Sequence, residues 1–420
     1  MDLGLLTHFF FKPRHANGIL AGIKKITTLN QGNMLIDIIA GARPNFMKIA
    51  PIIKEIEKAN EASGEKKESQ NFLEYRLIHT GQHYDRNMSG AFFEQLGIPE
   101  PHMNLESGSG TQAAQTGRIM ERYEEVLMKR KSDLCIVVGD VTSTMACSIT
   151  AKKMGVKVAH VEGGIRSRDW TMPEEINRVA TDSITDFFFT TSEVANTNLS
   201  HEGVSGDRIF FVGNTMIDTL LANLDRLEKP GVVDEQNLQE GRYFVMTLHR
   251  PANVDEENKL KELIENIAQG VQEEKIVFPV HPRTRKILDG LGISHPSLIY
   301  TDPLGYLQFI WLVKHARAVI TDSGGITEET TVLGIPCLTL RDNTERPETI
   351  TEGTNELIGT NPEAVKPALQ RLMSGNWKTG AIPEKWDGKA AERIVAHIID
   401  LSKNGGLKPH EAFVDKGLMS

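Results

Sequence analysis

The 420-residue chain is poor in the features that most directly reveal a function. Its three cysteines, Cys135, Cys147 and Cys337, are widely separated and show neither CxxC nor Cys/His spacing, so we expect reduced thiols in a cytoplasmic protein and no metal site. No run of about 18 apolar residues occurs, so no transmembrane helix is expected. Acidic residues outnumber basic ones by 56 to 47, and the net charge of −9 argues against a nucleic-acid partner bound by bulk positive charge.

Common nucleotide and hydrolase motifs are also absent. The sequence contains no GxGxxG, no Walker A motif, no HExxH and no GxSxG. The main support for an NAD enzyme, a P-loop NTPase, a zinc protease or a serine hydrolase is therefore missing. Without an excess of positive charge, the chain would have to hold an anionic ligand by a few placed groups.

Strand-like and helix-like segments alternate from Met34 onward, which predicts an α/β fold. Continuous apolar runs such as Leu134–Val138 are typical of strands buried on both faces of a parallel sheet. The alternation restarts after a hydrophilic stretch near residues 228–241. The sequence therefore predicts two Rossmann-like, doubly wound domains of similar size that face each other across a central cleft, with polar motifs in the turns after strands.

The segments behind this prediction are strands and helices of ordinary length. The predicted strands are Leu35–Ala40, Arg76–Thr80, Leu134–Val138, Val156–Val161, Phe187–Thr190, Ile209–Val212, Tyr243–Leu248, Ile276–Val280, Leu298–Tyr300, Ala318–Thr321 and Pro336–Leu340. The predicted helices include Phe46–Ala59, Gln112–Lys131, Ser143–Met154, Glu174–Ile184 and Ala390–Leu401, with a loop at Asn60–Asn71.

A glycine pair after a predicted strand is the strongest local signal for a ligand. Ser323, Gly324 and Gly325 follow such a strand and lead into a helix-like stretch. Adjacent glycines let a phosphate approach the backbone, and the helix N-terminus behind them offers free N–H groups. Glu329, about one helical turn inward, suits the hydroxyl groups of a ribose. A tight turn with Ser323 as a helix N-cap explains the same residues without a nucleotide.

Three cations stand near predicted strand ends. Arg43 follows the first strand, Lys48 lies one turn into the next helix, and Arg346 lies in a charged loop after a later strand. Arg43 and Lys48 could both meet a diphosphate, and arginine can do so with two parallel hydrogen bonds. Taken singly, each of these two is better explained as a solvated surface charge. A loop as rich in charge as that of Arg346 is usually solvated, but its place at the carboxyl end of a strand favours a function.

Three acids occupy comparable positions in the first half of the chain. Asp140 and Glu162 each follow a buried strand, and Glu174 follows a proline that opens a helix. Carboxylates beside buried strand ends need partners or a cleft, and neighbouring acids in one cleft suit general acid–base catalysis. Glu174 and Glu175 could instead be helix-dipole partners, the interpretation we prefer for Glu175.

Two histidines end strands of the second half. His249 and His281 are each followed closely by proline and arginine. A lone histidine is more often structural than catalytic, but two at equivalent strand ends indicate a lined cleft. A protonated His249 would suit a departing phosphate oxygen.

Together, these residues resemble the family of non-hydrolysing UDP-N-acetylglucosamine 2-epimerases. The resemblance spans Met34 to the last helix and rests on ordered motifs. They are Arg43-Pro44, Lys48-Ile49-Ala50-Pro51, Gly139-Asp140, His160-Val161-Glu162-Gly163-Gly164-Ile165-Arg166, Pro173-Glu174-Glu175-Ile176-Asn177-Arg178, Gly213-Asn214-Thr215, Leu248-His249-Arg250-Pro251, Asp322-Ser323-Gly324-Gly325-Ile326-Thr327-Glu328-Glu329 and Thr344-Glu345-Arg346-Pro347-Glu348.

The resemblance implies the glycosyltransferase-B type fold and a cofactor-free, usually dimeric isomerase of the cytoplasm. It implies a substrate, UDP-N-acetylglucosamine, and a product, UDP-N-acetylmannosamine, with no membrane partner. By motif position, the catalytic places fall to Asp140, Glu162, Glu174 and His249. The implied nucleotide-sugar contacts are Arg43, Lys48, Phe309, Ser323, Gly324, Gly325, Glu329 and Arg346.

The resemblance also implies the division of the chain. Residues 34–213 with 390–420 are expected to form the N-terminal domain that carries the catalytic acids, because the final helix crosses back. Residues 214–389 are expected to form the domain that binds UDP, with a hinge near Asn214. Residues 1–33 lie outside the resemblance and are either an upstream extension or a native tail.

The route implied by the resemblance is elimination of UDP to 2-acetamidoglucal and re-addition with the proton delivered to the opposite face. Asp140 is the expected base, and Glu162 and Glu174 support it or deliver the proton. A hydrolysing 2-epimerase and a glycosyltransferase of the same fold remain alternatives. A non-catalytic nucleotide-sugar sensor is a third, although a sensor has no use for acids around C1 and C2.

Overall fold

The computed structural model describes residues 33–64, 72–81, 93, 95–280 and 282–407. The predicted N-terminal segment therefore lies outside the described residues except for Asn33, and so does His281. The described ranges form two parallel β-sheets with helices packed around them. The predicted α/β class is confirmed.

The first sheet has seven strands in the order β3-β2-β1-β4-β5-β6-β7, and all neighbouring pairs are parallel. Its strands are β1 Met34–Ala40, β2 Leu73–His79, β3 Met103–Asn104, β4 Leu134–Val138, β5 Lys157–Val161, β6 Phe187–Thr190 and β7 Ile209–Phe211. Along the chain, helices α1 to α6 are Arg43–Ser63, Gln112–Lys129, Thr142–Lys153, Pro173–Ile184, Glu193–His201 and Thr215–Asn223.

The second sheet has six parallel strands in the order β10-β9-β8-β11-β12-β13. Its strands are β8 Tyr243–Thr247, β9 Lys275–Pro279, β10 Leu298–Thr301, β11 Ala318–Thr321, β12 Cys337–Thr339 and β13 Asn355–Leu357. Helices α7 to α15 follow along the chain at Val232–Glu235, Pro251–Val254, Glu257–Gly270, Pro282–Gly290, Tyr306–Lys314, Gly324–Leu333, Pro347–Thr351, Val365–Met373 and Ala390–Lys403.

Apolar runs form the central strands because both faces of each sheet are covered. Every residue of β1 and β4 is buried, including all five of Leu134–Val138. Helices on the two sides supply the apolar surfaces, as in other parallel sheets. This continuous burial explains why the predicted central strands agree with the observed ones to within a few residues.

The structure departs from the predicted elements at a helix end and at the sheet edges. The predicted loop at Asn60–Asn71 was wrong at its start, because α1 runs on to Ser63. Gly64 then ends the helix in the left-handed region at φ 62°, a conformation that glycine adopts readily. Strands β3 and β13 were not predicted, because two- or three-residue edge strands carry too little pattern. Helices α5 and α6 were not predicted either.

The last helix returns to the first sheet. Its apolar face, including Ile394 and Ile398, joins the same core as Ile49 of α1. The first amides of α15, from Ala390 and Ala391, donate hydrogen bonds of 3.0 and 2.7 Å to the carboxylate of Asp218 on α6. A side chain of another helix thus caps α15 in place of a local N-cap residue.

Both sheets reverse their strand order at one internal point, between β1 and β4 in the first and between β8 and β11 in the second. Loops after the two strands diverge at such a point, and the crevice left at the carboxyl ends is the usual ligand site of open α/β sheets. Asn45 fixes the first crevice, because its side chain accepts from the amide of Gly41 (3.0 Å) and donates to Val138 (3.1 Å).

Candidate active site

A cavity of about 960 Å³ lies where the loops from the carboxyl edges of the two sheets meet. Its walls contain every residue predicted to be catalytic or substrate-binding except Arg43: Lys48, Asp140, Glu162, Glu174, His249, Phe309, Ser323, Gly324, Gly325, Glu329 and Arg346. The side chain of Arg43 lies outside the described part of the structure, although its backbone begins α1. The structure brings these groups together, and their individual roles stay predictions.

Strand ends position the groups on both walls. Asp140 follows β4 and Glu162 follows β5, whereas His249, Ser323 and Arg346 follow β8, β11 and β12. The carboxyl ends of parallel strands lie at one edge of a sheet, so each sheet presents its polar loops on one side. The cavity therefore has two walls. Loops of the first sheet form the first wall, and loops of the second sheet form the second wall.

Glu162 connects the two walls. Its Oε2 lies 2.7 Å from Nζ of Lys48 on α1 and 3.0 Å from Nη2 of Arg346 in the opposite wall. Burial by itself would raise the pKa of Glu162, but these two cations outweigh burial and the pKa is lowered. Its Oε1 is buried and has no hydrogen-bond partner among the described residues. The carboxylate is therefore ionised and keeps one oxygen for a ligand.

The backbone beside this carboxylate is strained. Glu162 has φ 71°, in the left-handed region that non-glycine residues seldom occupy. Nearby, Gly139 has φ 65°, and a Cβ there would lie 3.1 Å from Nζ of Lys48. Such strain is often found at functional sites, where the surrounding structure holds it in place.

Arg346 extends the chain of alternating charges into the second half. Its Nε is ion-paired with Oε1 of Glu328, and its Nη1 donates a 3.0 Å hydrogen bond to Oγ1 of Thr191. Burial raises the pKa of Glu328 to about 7 although Arg346 is adjacent. Glu328 also lines the cavity. One guanidinium thus links a catalytic candidate of the first wall to an acid of the second.

Asp140 is held by Arg178 of α4. Nη2 of Arg178 lies 2.5 Å from Oδ2 of Asp140, and Nη1 lies 2.8 Å from Oε2 of Glu175. Glu175 also accepts from the amides of Ser167 and Arg168 at 2.9 Å each. It lies in the first turn of its helix, as a dipole partner would, but it is buried and anchors a loop as well. Glu174, beside it, lines the cavity.

A buried histidine supports the turn that carries Asp140. His160 lies 2.6 Å from Oδ1 of Asp182 through Nδ1 and 2.8 Å from the carbonyl oxygen of Gly139 through Nε2. Asp182 also pairs with Arg166 at 2.7 Å and accepts from the amide of Gly164 at 3.0 Å. This network fixes the loops after β4 and β5 from beneath, so that the two acids keep their relative positions.

His249 is oriented by a carboxylate. Its Nδ1 lies 2.8 Å from Oδ1 of Asp322, and the amide of Arg250 donates to Oδ2 of the same residue at 2.9 Å. Burial would raise the pKa of Asp322, but the contact with His249 and these hydrogen bonds lower it. The His249 side chain is 61% exposed, so its other ring nitrogen is accessible from the cavity.

The N-terminus of α12 also faces the cavity. Ser323 occupies the N-cap position without a side-chain hydrogen bond to the helix, so the tight-turn interpretation lacks its N-cap bond. A Cβ on Gly324 would lie 2.6 Å from Oε1 of Glu345, whereas one on Gly325 would meet only the end of Met216 at 3.9 Å. Gly325 therefore leaves open space in front of the helix amides, where an anion can approach.

Glu329 is deeply buried in α12. Burial raises its pKa to about 8, although a hydrogen bond with the side chain of Tyr306 on α11 acts in the opposite direction. The hydroxyl of Tyr306 is itself buried beside this carboxyl group, and burial raises its pKa. A carboxyl group can accept hydrogen bonds from both hydroxyl groups of a vicinal diol, and its protonated form can also donate one.

Sequence reasoning missed several groups that complete the cavity. Arg178, Arg250, Tyr306, Glu328 and Glu345 all line it. Arg178, Arg250, Glu328 and Glu345 lie within the sequence motifs described above, so their closeness to candidate residues could have identified them. Tyr306 had no such signal, because its position depends on packing between α11 and α12.

Two absences hold for the described residues. No group of three or more His, Cys, Asp or Glu side chains there is arranged to hold a metal ion. No helix in those ranges is long and apolar enough to cross a membrane.

Two Rossmann-like sheets with a charged cavity between them, a glycine-lined helix N-terminus on one wall and several acids on the other, define a nucleotide-sugar enzyme of the glycosyltransferase-B type fold. The family model for UDP-N-acetylglucosamine 2-epimerase matches residues 65–399. The chain belongs to the UDP-N-acetylglucosamine 2-epimerase family.

Individual relatives agree with this assignment. The chain is 41% identical over 380 residues to UDP-N-acetylglucosamine 2-epimerase of Methanocaldococcus jannaschii, covering 86% of this chain and 98% of that protein. The crystal structure of the Methanocaldococcus jannaschii enzyme in complex with UDP-GlcNAc and UDP matches at a TM-score of 0.75, covering 87% of this chain and 99% of that one. A further relative, 39% identical over 330 residues, is UDP-2,3-diacetamido-2,3-dideoxy-D-glucuronate 2-epimerase of Pseudomonas aeruginosa, covering 78% and 88%.

Proposed function

We propose that this protein is a UDP-N-acetylglucosamine 2-epimerase that reversibly converts UDP-N-acetylglucosamine to UDP-N-acetylmannosamine. The observation that carries the proposal is the 3.0 Å contact between Glu162 and Arg346, which brings the acidic wall of the first sheet against the phosphate-binding side of the second. A nucleotide sugar needs both walls, because its diphosphate requires cations and amides while its sugar ring requires acids.

The chemistry follows from the sugar. The C2 hydrogen is not acidic, because neither C1 nor C3 carries a carbonyl group. Elimination avoids that difficulty: the C1–O bond breaks with its electron pair leaving on UDP, and C2 then loses its proton to give 2-acetamidoglucal. Re-addition of UDP with a proton on the opposite face of C2 completes the inversion. The transition state is cation-like at C1, as in glycoside cleavage.

Groups of the second wall bind the leaving group, the diphosphate of UDP. Ser323, Gly324 and Gly325 present amides at the N-terminus of α12, and His249, oriented by Asp322, stabilises or protonates the departing phosphate oxygen. Arg43, Lys48 and Arg346 add positive charge. Phe309 and Glu329 hold the nucleoside. Each of these roles is part of the proposal.

The first wall supplies the acids. Asp140 is the base that takes the C2 proton, and its contact with Arg178 holds the carboxylate in position. Glu162, ionised between two cations, stabilises the positive charge at C1, and Glu174 delivers a proton to the other face. Several acids are needed because the two faces of C2 each require an acid or base.

One assay tests the function. UDP-N-acetylglucosamine is incubated with the enzyme alone in deuterated water and followed by proton NMR and product chromatography. We expect UDP-N-acetylmannosamine to appear and deuterium to enter C2 of both nucleotide sugars. Release of free N-acetylmannosamine and UDP would identify a hydrolysing enzyme instead, and no reaction until an acceptor is added would identify a glycosyltransferase.

We also propose a domain division, an oligomeric state and a cellular location for this protein. Residues 34–213 with 390–420 form one domain and residues 214–389 the other, with the hinge near Asn214. The enzyme is a cytoplasmic homodimer, and closure of the domains retains the glucal between the two half-reactions. Light scattering with and without UDP tests the dimer, and small-angle scattering tests the closure.

A further inference from the structure

Among the described residues, Arg250 differs from the other cations of the cavity in having no ion-paired carboxylate. Lys48 pairs with Glu162, while Arg178 and Arg346 each pair with two acids. The guanidinium of Arg250 makes no ion pair within the described ranges. Its one polar contact there is a 4.0 Å approach of Nη1 to the sulfur of Met172. The other cationic side chains of the cavity are neutralised before a ligand arrives, and this one is not.

No carboxylate of the described residues lies within ion-pair distance of the Arg250 guanidinium. Burial, followed by the neighbouring Arg341, lowers its pKa, and the acids Glu345, Asp322 and Glu174 offset this only in part. Glu345 is itself ion-paired with Arg341 at 2.5 Å. A half-buried guanidinium in this state gains most from an anionic ligand, because little of its hydration remains to be lost.

The backbone fixes where this cation lies. Asp322 accepts from the amide of Arg250 at 2.9 Å and from the amide of His249 at 3.1 Å, so one buried carboxylate holds both residues at the end of β8. β8 and β11 are neighbours across the switch point of the second sheet, and the turn after β11 carries the glycine pair of α12. Arg250, His249 and the amides of α12 therefore line the same part of the cavity.

We propose that Arg250 binds the distal phosphate of the uridine diphosphate and is a specificity-determining residue for diphosphates over monophosphates. This inference rests on the proposed function. The guanidinium can bind two phosphate oxygens with parallel hydrogen bonds, which a lysine cannot do. Negative charge grows on the distal phosphate as the C1–O bond breaks, so the contact strengthens towards the transition state and contributes to turnover as well as to binding.

The test compares Arg250→Met, Arg250→Lys and a matched control, Arg242→Met. Arg242 precedes β8, is 64% exposed and lies at the opposite end of the same strand. Calorimetry gives the Kd of each protein for UDP, UMP and uridine, and the NMR assay gives kcat and KM. We expect Arg250→Met to weaken UDP binding about 10- to 100-fold while UMP and uridine change less than about threefold. Arg250→Lys falls between, and Arg242→Met matches the wild type.

Each other outcome has a distinct meaning. Unchanged UDP affinity in Arg250→Met, or an equal loss for UMP and UDP, would overturn the inference. Loss of turnover confined to a UDP-sugar with a carboxylate at C6, with UDP binding intact, would also overturn it and assign Arg250 to the sugar. If Arg250→Met does not bind uridine or does not unfold cooperatively, the test uses Arg250→Lys instead. A ratio of UDP to UMP affinity below that of the wild type would then support the inference, and an unchanged ratio would overturn it. A wild-type protein that binds no UDP would overturn the proposed function itself.

Discussion

Nη2 of Arg346, in the loop after β12 of the second sheet, lies 3.0 Å from Oε2 of Glu162, which follows β5 of the first. The same oxygen of Glu162 also meets Lys48, and the same guanidinium also meets Glu328 and Thr191. Because these side chains come from both halves of the chain, the position of an acid on one wall depends on a cation of the other.

Removal of Arg346 should be costly. Arg346→Met leaves Glu162 with one cation and the buried Glu328 with none, and loss of one partner of a buried ion pair costs about 3–5 kcal/mol. We expect urea unfolding to show a loss of that order and epimerase turnover to fall more than about 100-fold.

Two variants calibrate this prediction. Arg371→Met breaks an exposed pair with Glu356 in the same half and should cost no more than about 1 kcal/mol. Adding Glu328→Gln to Arg346→Met removes the unpaired buried acid and should restore part of the stability but not the turnover. An Arg346→Met protein as stable as Arg371→Met would contradict the central position given to this contact.

Asp140→Asn tests the proposed base. Asparagine keeps an oxygen that can accept from Arg178, so the fold should persist while proton abstraction is lost. We expect turnover to fall at least about 100-fold, together with the exchange of deuterium into C2, as NMR in deuterated water will show. Asp207→Asn, at an exposed position, is the control and should behave as the wild type. Normal turnover with deuterium at C2 would remove Asp140 as the base.

Asp322→Asn tests the orientation of His249. The carboxylate of Asp322 holds the imidazole in place through its 2.8 Å contact with Nδ1, so its neutral replacement should reduce kcat about 10- to 100-fold and change KM for UDP-N-acetylglucosamine less than about threefold. A kcat equal to that of the wild type would show that Asp322 does not position His249 for catalysis.

Glu345 should make the protein sensitive to acid. Burial would raise its pKa, but Arg341, followed by Arg178, lowers it from the ordinary value of 4.5 to about 2. The stabilisation is therefore complete above about pH 4.5 and is lost as the pH falls towards 2, a contribution of about 3 kcal/mol. Urea unfolding between pH 5 and 2 should show a shallower decline for Glu345→Gln than for the wild type or for exposed Glu352→Gln. Parallel curves for all three would contradict this.

Much of the fold could be predicted because local pattern and tertiary environment agree. Leu134–Val138 and Phe187–Thr190 are continuous apolar runs, and both were predicted with their observed bounds. Met103–Asn104 was not, since a two-residue edge strand is defined by its hydrogen bonds to β2 rather than by its own side chains. The end of α1 was misplaced because Asn60, usually a turn residue, instead bonds the backbone of Leu73 at 3.0 Å.

Some residues of the candidate site could also be predicted from the sequence, whereas their ion-pair partners could not. Asp140, Glu162 and Ser323 were found because each follows a strand, and the carboxyl edge of a parallel sheet is a predictable location. The pairing of Arg178 with Asp140 joins residues 38 positions apart, and that of Arg346 with Glu162 joins opposite walls. Such partners cannot be read from spacing, because they depend on how helices and loops pack.

The order of residues by itself determined the α/β class, the central strands and the chemical groups placed at their ends, because burial on both faces of a strand and the turn that follows it are local properties of the chain. Only the tertiary structure decided which charges meet. It paired three of the cations around the cavity with acids and left Arg250 without an ion pair in the described part of the chain. It also buried Glu328 and Glu329 deeply enough to raise their pKa values to about 7 and about 8. Electrostatic partnership and desolvation are set by distances through space, and those exist only once the two sheets have packed together.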